Sequence, residues 1–262
     1  MPESLKLIRP HIHVPFARLG EFSPILAEHG LSVELYVLGS DMDALGPDWP
    51  GRTMGLLDYG PEISIHAPFM DLSPGAVDEK IRAVTASRFE KALEMARQLG
   101  AKTVVFHSGY EKWKYAMHVE IWLEKSVLTW GPLIERARKD GTRIAIENIF
   151  EDSPDNLIAL FEKLGSEHFG LCFDTGHFNL FAGRAPLESW LAPLEKYLIE
   201  LHIHDNDGSY DAHSPIGEGT FPFQSLFDAI KGLCGVVHTI EAHSPADALL
   251  SLRRLGRFRE LP

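Results

Sequence analysis

Eight short apolar runs recur along the chain. In the repeating pattern an apolar run comes first, polar loop residues follow it, and a longer amphipathic segment comes last. This alternation is typical of βα units that build a parallel sheet. Two small domains would fit 262 residues, but a single (β/α)8 barrel also fits that length. The predicted strands cover residues 5–14, 33–38, 63–68, 103–107, 143–147, 170–174, 198–204 and 236–241. The sequence therefore predicts an α/β fold, a single-domain (β/α)8 TIM barrel over residues 1–262.

Glycine, proline and cap residues mark the predicted helices between these strands. Ser73-Pro74 combines a serine N-cap with proline at the first helical position, which favours a helix start, and Gly100 follows the predicted end. The segment 40–60 carries four Gly and two Pro, so we expect its helix to be short and irregular. The other predicted helices cover residues 16–29, 115–140, 153–164, 186–197, 222–233 and a last helix capped by Ser244-Pro245.

The balance of charge bears on the partners of the chain. Lys and Arg total 25 and Asp and Glu total 37, which gives a net charge of −12. Nucleic-acid binding is disfavoured because it needs clustered Lys and Arg to neutralise phosphates, although bound divalent cations would cancel part of the negative charge.

Cysteine usage and the N-terminal residues give an expectation for the cellular compartment of the protein. Cys172 and Cys234 are the only two cysteines and lie far apart, which favours buried apolar residues in a reducing compartment over a disulfide. The N-terminal residues lack the apolar segment of a signal peptide, and no apolar run reaches membrane-spanning length. We therefore expect a soluble cytoplasmic protein with no membrane partner.

Ionisable side chains stand at the ends of six consecutive predicted strands. In (β/α)8 barrels the active site lies at the carboxyl ends of the strands, where a barrel without a site would carry Val, Ile, Ala or Gly. The residues at these ends are His66, His107, Glu147, Asp174 together with His177, His202 and Glu241. A single histidine there is more often a satisfied core residue, but six such positions in phase indicate a functional site.

Three of these residues, Glu147, Asp174 and Glu241, are acids that would converge in the barrel mouth. Carboxylates a few ångströms apart cannot all stay ionised without a counter-charge. No Lys or Arg stands within two positions of any of them. A divalent cation is the natural partner, and a mixture of imidazole and carboxylate ligands suits Zn, Mn, Fe or Co better than Ca.

The stretch 198–219 is the densest in potential ligands. His202 and His204 are two residues apart, so they would share one face of a strand. The loop that follows contains Asp205, Asp207, Asp211, His213 and Gly217-Glu218-Gly219. Imidazoles and carboxylates so closely spaced indicate a metal site or an acid/base site, and the competing interpretation is a polar surface loop.

The motifs around these residues, taken as a set, resemble those of a known family. They are H-x-P-F-x-D-L at 66–72, F-H-S-G at 106–109, E-N at 147–148, F-D-T-G-H at 173–177, H-x-H-D-N at 202–206 and D-x-H-x-P-I-G-E-G at 211–219. Over nearly its whole length the chain resembles the xylose isomerase-like (β/α)8 superfamily. That superfamily contains sugar phosphate isomerases, ketose 3-epimerases and endonuclease IV, so the resemblance implies an enzyme.

Similarity to the epimerases implies one divalent metal, Zn or Mn, held by Glu147, Asp174, His202 and Glu241. In those enzymes two glutamates flank the substrate carbon. One removes a proton next to a carbonyl, the metal stabilises the enediolate, and the other glutamate returns a proton. The resemblance assigns this pair to Glu147 and Glu241, in a sugar or sugar phosphate isomerase or epimerase of carbohydrate metabolism. Its substrate would be a small polyhydroxy carbonyl compound, with or without a phosphate.

Similarity to endonuclease IV implies instead a phosphodiesterase with up to three zinc ions. His66, His107 and Glu147 would hold one ion, the four ligands of the epimerase site a second, and His177, Asp211 and His213 a third. The characterised epimerases usually place an Arg where residues 211–213 lie, and its absence here counts against a free ketose as the substrate.

The isomerase is favoured over the hydrolase because of the glutamate pair, the acidic composition and the absence of an obvious DNA-tracking patch. A third alternative is a non-enzymatic metal-binding or oligomer scaffold, although none of the expected ligands is missing. A homo-oligomer is compatible with all three.

Four further residues are candidates for contact with the substrate, and each has a structural alternative. They are His13, Glu34, Asn148 and His204. His13 could equally serve packing and Glu34 a salt bridge. Asn148 could support Glu147, and His204 could hold the neighbouring His202 in the required tautomer.

Bound metal is the most direct consequence of this interpretation. We expect protein purified without a chelator to contain a transition metal, measured by elemental analysis. One equivalent favours the isomerase or epimerase, and three zinc ions favour the hydrolase. A metal-free protein would count against both.

Overall fold

The computed structural model describes residues 9–182 and 185–258. Eight parallel strands close into a barrel, in which each strand pairs with the next in the chain and β8 pairs with β1. The strands are β1 His11–Pro15, β2 Ser32–Tyr36, β3 Ile63–His66, β4 Thr103–His107, β5 Arg143–Glu147, β6 Phe169–Asp174, β7 Leu198–Ile203 and β8 Val237–Ile240. The predicted (β/α)8 barrel is confirmed. Residues 5–8 of the first predicted strand lie outside the described residues.

Helices connect consecutive strands around the barrel. They are α1 Leu19–Glu28, α2 Gly39–Ala44, α3 Trp49–Leu56, α4 Glu79–Leu99, α5 Val119–Asp140, α6 Asp155–Leu164, α7 Thr175–His177, α8 Leu187–Leu194, α9 Phe223–Ala229 and α10 Pro245–Leu255. The segment 40–60 forms two short helices, and Ser244 caps α10 as predicted, its hydroxyl accepting the N–H of Asp247. Among the described helices, none combines the length and the apolar character needed to cross a membrane.

The predicted start of the long helix at Ser73-Pro74 is wrong. α4 begins at Glu79, and the carboxylate of Asp78 caps it by accepting the N–H of Lys80 at 2.7 Å. The N–H of Ser73 instead donates to the hydroxyl of Thr85 at 3.0 Å. The Ser-Pro pair therefore anchors the β3–α4 loop against α4 and does not begin the helix.

Other helix ends also differ from the prediction. α5 begins at Val119 and not at residue 115, because Ala116 and Met117 have φ angles of 50° and 67°. A right-handed helix cannot run through that left-handed region. α6 begins at Asp155, two residues after the predicted start, and α9 ends four residues before its predicted end. α8 ends at Leu194, and a 3-10 helix, Glu195–Tyr197, continues it to the predicted end.

The inner face of the barrel is layered because side chains two residues apart on a strand point to the same side. Val105, Ala145 and Cys172 belong to one buried apolar cluster. The residues two positions further along the same strands are His107, Glu147 and Asp174. Strand alternation thus places an ionisable layer directly above an apolar one, at the carboxyl end of the barrel.

Trp130 of α5 joins the helical layer to the barrel. Its ring is fully buried and stacks on Phe89 of α4 with 5.2 Å between centroids. The ring centroid also lies 5.4 Å from that of Phe106 on β4 and 5.5 Å from that of Phe169 on β6. This aromatic cluster holds two helices against strands that carry site residues at their ends.

We expect Trp130→Ala to lower the free energy of unfolding by about 3–5 kcal/mol, because it leaves a cavity among buried rings. Leu128→Ala on the same helix is the matched control. Leu128 is 58% exposed, so its replacement should change the free energy by less than about 0.5 kcal/mol. Urea denaturation followed by circular dichroism measures both variants, and equal losses would contradict the role of Trp130.

Candidate active site

A cavity of about 810 Å³ opens at the carboxyl ends of the strands. Many of the residues singled out in the sequence line it together, although they come from distant parts of the chain. They are His13, His66, His107, Glu147, His177, Asp211, His213 and Glu241. Barrel closure is what brings them to one place, as expected for the active-site end of this fold.

His202 lies at the centre of the acids Glu147, Asp174 and Glu241. Its Nδ1 atom is 3.2 Å from Glu241 Oε1, 3.6 Å from Glu147 Oε2 and 3.8 Å from Asp174 Oδ2. All four side chains are buried. The residues that the family resemblance assigns to a central metal therefore surround a single nitrogen atom.

Positive charge at this cluster comes from histidines. In the described part of the chain, no Lys or Arg forms an ion pair with Glu147, Asp174 or Glu241. Burial raises the pKa of Glu147, but the charges of His107 and His202 outweigh burial and hold the pKa well below its usual range. Burial also raises the pKa of Glu241, and the charges of His202 and His13 again lower it well below that range. The acids thus depend on nearby positive charge.

The environment of His202 fits a cation. Its Nδ1 atom is buried and has no hydrogen-bond partner, whereas Nε2 faces the Glu34 carboxylate at 3.3 Å. Burial lowers the pKa of His202, but the carboxylates of Glu34 and Glu241 outweigh burial and raise the pKa well above its usual value. A divalent ion at Nδ1 would supply the same positive charge and give this nitrogen a partner. One imidazole and three carboxylates are suitable ligands for Zn or Mn.

His66 approaches Glu147 from the end of β3, and His107 approaches it from the end of the adjacent β4. His66 Nε2 lies 3.0 Å and His107 Nε2 3.3 Å from Glu147 Oε2. His66 Nδ1 donates to the carbonyl of Ala67 at 3.0 Å, so its Nε2 is left to meet a carboxylate. Two acceptors repel each other, and a proton or a metal ion between them removes the conflict. His66, Glu147 and His202 offer ligand atoms close enough to hold one ion.

Asp211 and His213 cover the opposite side of the cluster. His177 Nε2 lies 3.3 Å and His213 Nδ1 3.7 Å from Asp211 Oδ2. His213 Nε2 contacts Glu241 Oε2 at 2.9 Å, and the Glu241 carboxylate helps to raise the pKa of His213 to about 9 against the opposing effect of burial. The three residues assigned to an additional metal are therefore neighbours, although His213 also reaches the central cluster.

His204 lies beside Asp211 and His213, which the sequence did not indicate. Its ring stacks on that of His213 with 4.0 Å between centroids, and His204, Asp211 and His213 offer ligand atoms close enough for one ion. His204 Nε2 contacts both carboxylate oxygens of Asp174, while Nδ1 is buried and without a hydrogen-bond partner. The ring fits because residue 176 is glycine, since a Cβ there would lie 2.0 Å from His204 Cε1.

Three of the four candidate substrate contacts are not among the described residues that line the cavity. His13 lines the cavity and contacts Glu34 and Glu241 at 2.8 and 3.1 Å, whereas Glu34, Asn148 and His204 are buried. The Asn148 amide donates to the Asp174 carbonyl at 3.1 Å and accepts the Asp174 N–H at 2.8 Å. Direct contact of these side chains with a substrate stays a prediction, and in the structure they contact other residues of the site.

Glu200 is a site residue that the sequence analysis missed. It is fully buried on β7, two residues before His202, and lies close to Glu34 and His202. Burial, with the nearby charge of Glu34, raises the pKa of Glu200 well above its usual range. Its matching strand parity with His202 was the available signal, but the sequence does not show that Glu34 comes from across the barrel to meet it.

Asp205 stands among the potential ligands of the sequence, but in the structure it organises the loop after β7. Its carboxylate accepts four backbone N–H groups, at 2.9–3.1 Å, from Asn206, Gly217, Gly219 and Phe221. A Cβ at residue 219 would lie 2.1 Å from the Asn206 carbonyl oxygen, so this position requires glycine. The Gly217-Glu218-Gly219 signal marks this turn, which returns the loop after it has carried Asp211 and His213 over the cavity.

Comparison with known proteins places the chain in a family. Residues 55–257 match the model of the xylose isomerase-like TIM barrel family, and the chain belongs to this family. It is 31% identical over 211 residues to an uncharacterized protein of Methanocaldococcus jannaschii, a match that covers 78% of this chain and 72% of that protein.

Two solved structures are similar over almost the whole chain. A D-tagatose 3-epimerase-like protein has a TM-score of 0.82 and 28% identity, and the match covers 96% of this chain and 97% of the other. A protein from Thermus thermophilus, soaked with zinc chloride, has a TM-score of 0.78 and 26% identity, with coverage of 96% and 98%.

We expect Asp205→Ala to lower the free energy of unfolding by about 2–4 kcal/mol, because a buried charged acceptor of several N–H groups is lost. Hydrogen exchange of residues 206–221 should rise in the same variant. Asp207→Ala is the matched control, since Asp207 is exposed and its carboxylate bonds only within its own turn, to Ser209. Unchanged exchange in Asp205→Ala would show that the loop does not depend on this carboxylate.

Proposed function

We propose that this chain, as one domain over residues 1–262, is a divalent-metal-dependent sugar isomerase or epimerase that transfers protons next to a carbonyl. The observation that carries the proposal is the pair of buried glutamates, Glu147 and Glu241. They approach the same nitrogen of His202 from β5 and from the end of β8, and both face the cavity. The similarity to a D-tagatose 3-epimerase-like protein supports a sugar as the substrate.

In this proposal Glu147, Asp174, His202 and Glu241 hold the divalent ion, with Zn or Mn as the preferred metals. The unpartnered Nδ1 of His202 and the three carboxylates without a Lys or Arg partner in the described chain support this ligand set. When bound, such an ion would withdraw electrons from a substrate carbonyl and so acidify the neighbouring C–H bond.

Glu147 and Glu241 are the proposed acid/base pair. Each is held ionised by neighbouring histidines, so either carboxylate oxygen is ready to accept a proton from carbon. One glutamate removes the proton from one face of the carbon. The other, after it has taken up a proton from solvent, delivers that proton to the opposite face, which inverts the carbon, and the first glutamate then releases its proton to solvent. His13 at 3.1 Å and His213 at 2.9 Å contact Glu241 and hold its carboxylate in place.

A second candidate is a zinc phosphodiesterase of the endonuclease IV kind, and specific clusters favour it. His66 and His107 meet Glu147 on one side, while Asp211 and His213 lie near His177 and His204 on the other. These groups provide the donors for two further ions, as a multinuclear hydrolase requires. The net charge of −12 and the shared fold of a sugar epimerase-like protein make it the less favoured function.

The test of the proposed function is proton exchange at carbon. We expect the metal-loaded protein, incubated in D₂O with a panel of ketoses and oxo sugars, to introduce deuterium next to the carbonyl of at least one of them. Glu147→Gln and Glu241→Gln should each lower the exchange rate by about 10²–10⁴-fold, because each removes one acid/base group. Nuclear magnetic resonance measures the exchange.

Circular dichroism should show both variants folded, since the apolar core does not depend on these carboxylates. Glu120→Gln is the control, because the Glu120 side chain is 70% exposed on α5 and distant from the cavity lining. Exchange at the wild-type rate in Glu147→Gln would remove that residue from the mechanism. Cleavage of an abasic-site duplex without exchange on any sugar would instead establish the hydrolase.

A further inference from the structure

The mouth of the cavity differs in character from its floor. Met70, Ile81, Phe150 and Phe181 line it and are 72%, 47%, 50% and 38% exposed. Large apolar side chains left open to water at the entrance of a pocket mark a surface that a ligand covers. The floor of the cavity consists of histidines and carboxylates, and binding there does not require these apolar side chains.

Phe150 and Phe181 form a pair of aromatic rings at this mouth. Their centroids are 5.1 Å apart and their planes meet at 83°, which is an edge-to-face contact. The first ring follows β5 and the second follows β6, the strands that deliver Glu147 and Asp174. The pair is therefore tied to the same strand ends as the proposed reaction centre.

Aromatic rings also continue inward from the mouth. Phe69 stacks on His107 with 4.0 Å between centroids and 12° between planes, and Tyr36 stacks on Phe69 at 5.8 Å. Phe69 and Tyr36 line the cavity together with His107. These rings extend the apolar surface from the mouth towards the histidines of the floor, and a sugar bound at the floor would leave the outer rings, Phe150 and Phe181, free for another group.

The Arg and Lys side chains at the cavity already have partners. Among the described residues that line it, these side chains are Arg18 and Lys114. Arg18 makes two hydrogen bonds to Glu21, and Lys114 donates to Ser73 at 3.1 Å with Glu111 at 3.9 Å. A phosphate at the mouth would have to compete with these partners for Arg18 and Lys114, and Glu111 would repel it.

The cavity is also larger than a lone sugar requires. Its volume of about 810 Å³ lies in the upper part of the range of about 300–1,000 Å³ that suits drug-sized ligands. A monosaccharide on the floor would leave the apolar mouth open to water. A ligand with a second, apolar part would fill both regions.

We propose that the mouth binds an uncharged aromatic group joined to the sugar, so that the substrate is an aryl glycoside and neither a free nor a phosphorylated ketose. This inference rests on the proposed proton transfer for its sugar part. A glycosidic bond blocks the anomeric carbon, so the carbonyl that this chemistry needs is an oxo group elsewhere on the ring. Phe150 and Phe181 are then residues that determine specificity.

Binding of matched glycosides tests the aromatic subsite without turnover. The probes are phenyl and methyl D-glucopyranoside in both anomers, titrated calorimetrically into the metal-loaded protein. We expect a phenyl glycoside to bind at least about tenfold more tightly than the methyl glycoside of the same anomer. The Phe150→Ala/Phe181→Ala double variant should lose this preference and keep its affinity for the methyl glycoside. Trp113→Ala is the control, because Trp113 is exposed but lies outside the cavity lining.

Several results would overturn the inference. Equal affinity for phenyl and methyl glycosides, or no binding of any phenyl glycoside, excludes the aromatic subsite. If the double variant keeps the preference for phenyl glycosides, the aromatic subsite consists of other residues. If phenol binds with the same affinity as a phenyl glycoside, the aryl glycoside is excluded as the substrate class. Tighter binding of glucose 6-phosphate than of a phenyl glycoside excludes it too. Deuterium exchange on the panel of ketoses and oxo sugars is a separate measurement, so failure of the aromatic subsite and failure of the proposed proton transfer are distinguishable.

Discussion

Three buried carboxylates surround one imidazole nitrogen at the carboxyl end of the barrel, and the site is built around this concentration of charge. Glu147, Asp174 and Glu241 lie within 3.8 Å of His202 Nδ1, and their described ion-pair partners are histidines. Like charges at such distances oppose their own ionisation unless positive charge is supplied. Histidines supply it in the described structure, and a divalent ion would supply it more strongly.

Polar side chains below and beside this cluster set the direction of each group. Glu34 contacts His13 and His202 from beneath, Asn148 joins the end of β5 to that of β6, and Asp205 holds the loop that brings Asp211 and His213 over the cavity. Supporting groups of this kind fix the orientation of ligands and of acid/base residues. Glu34 and Asn148 are buried, and their described contacts are to residues of the site.

The cavity combines two environments, and each favours a different part of a ligand. The floor is ionic and buried, whereas the mouth presents half-exposed rings such as Phe150 and Phe181 beside cations that are already paired. Oxygen-rich groups are favoured at the first and apolar surface at the second. In our proposal the first environment carries the reaction and the second sets the preference for the substrate.

The sequence by itself determined the barrel, because alternating apolar runs and amphipathic segments are local patterns, and β4 and β5 were predicted residue for residue. It also determined the ionisable residues at the strand ends, since parity along a strand sets which side chains face inward. The sequence did not determine helix starts such as Glu79. Ser73-Pro74 and Asp78 are all plausible caps, and the packing of the loop decides which of them begins the helix. Only the tertiary structure decided that Glu34, Glu200 and His202 meet, that His204 joins Asp211 and His213, and that Phe150 faces Phe181. Those contacts join residues far apart in the chain, and their distances are set by closure of the barrel, which no local pattern encodes.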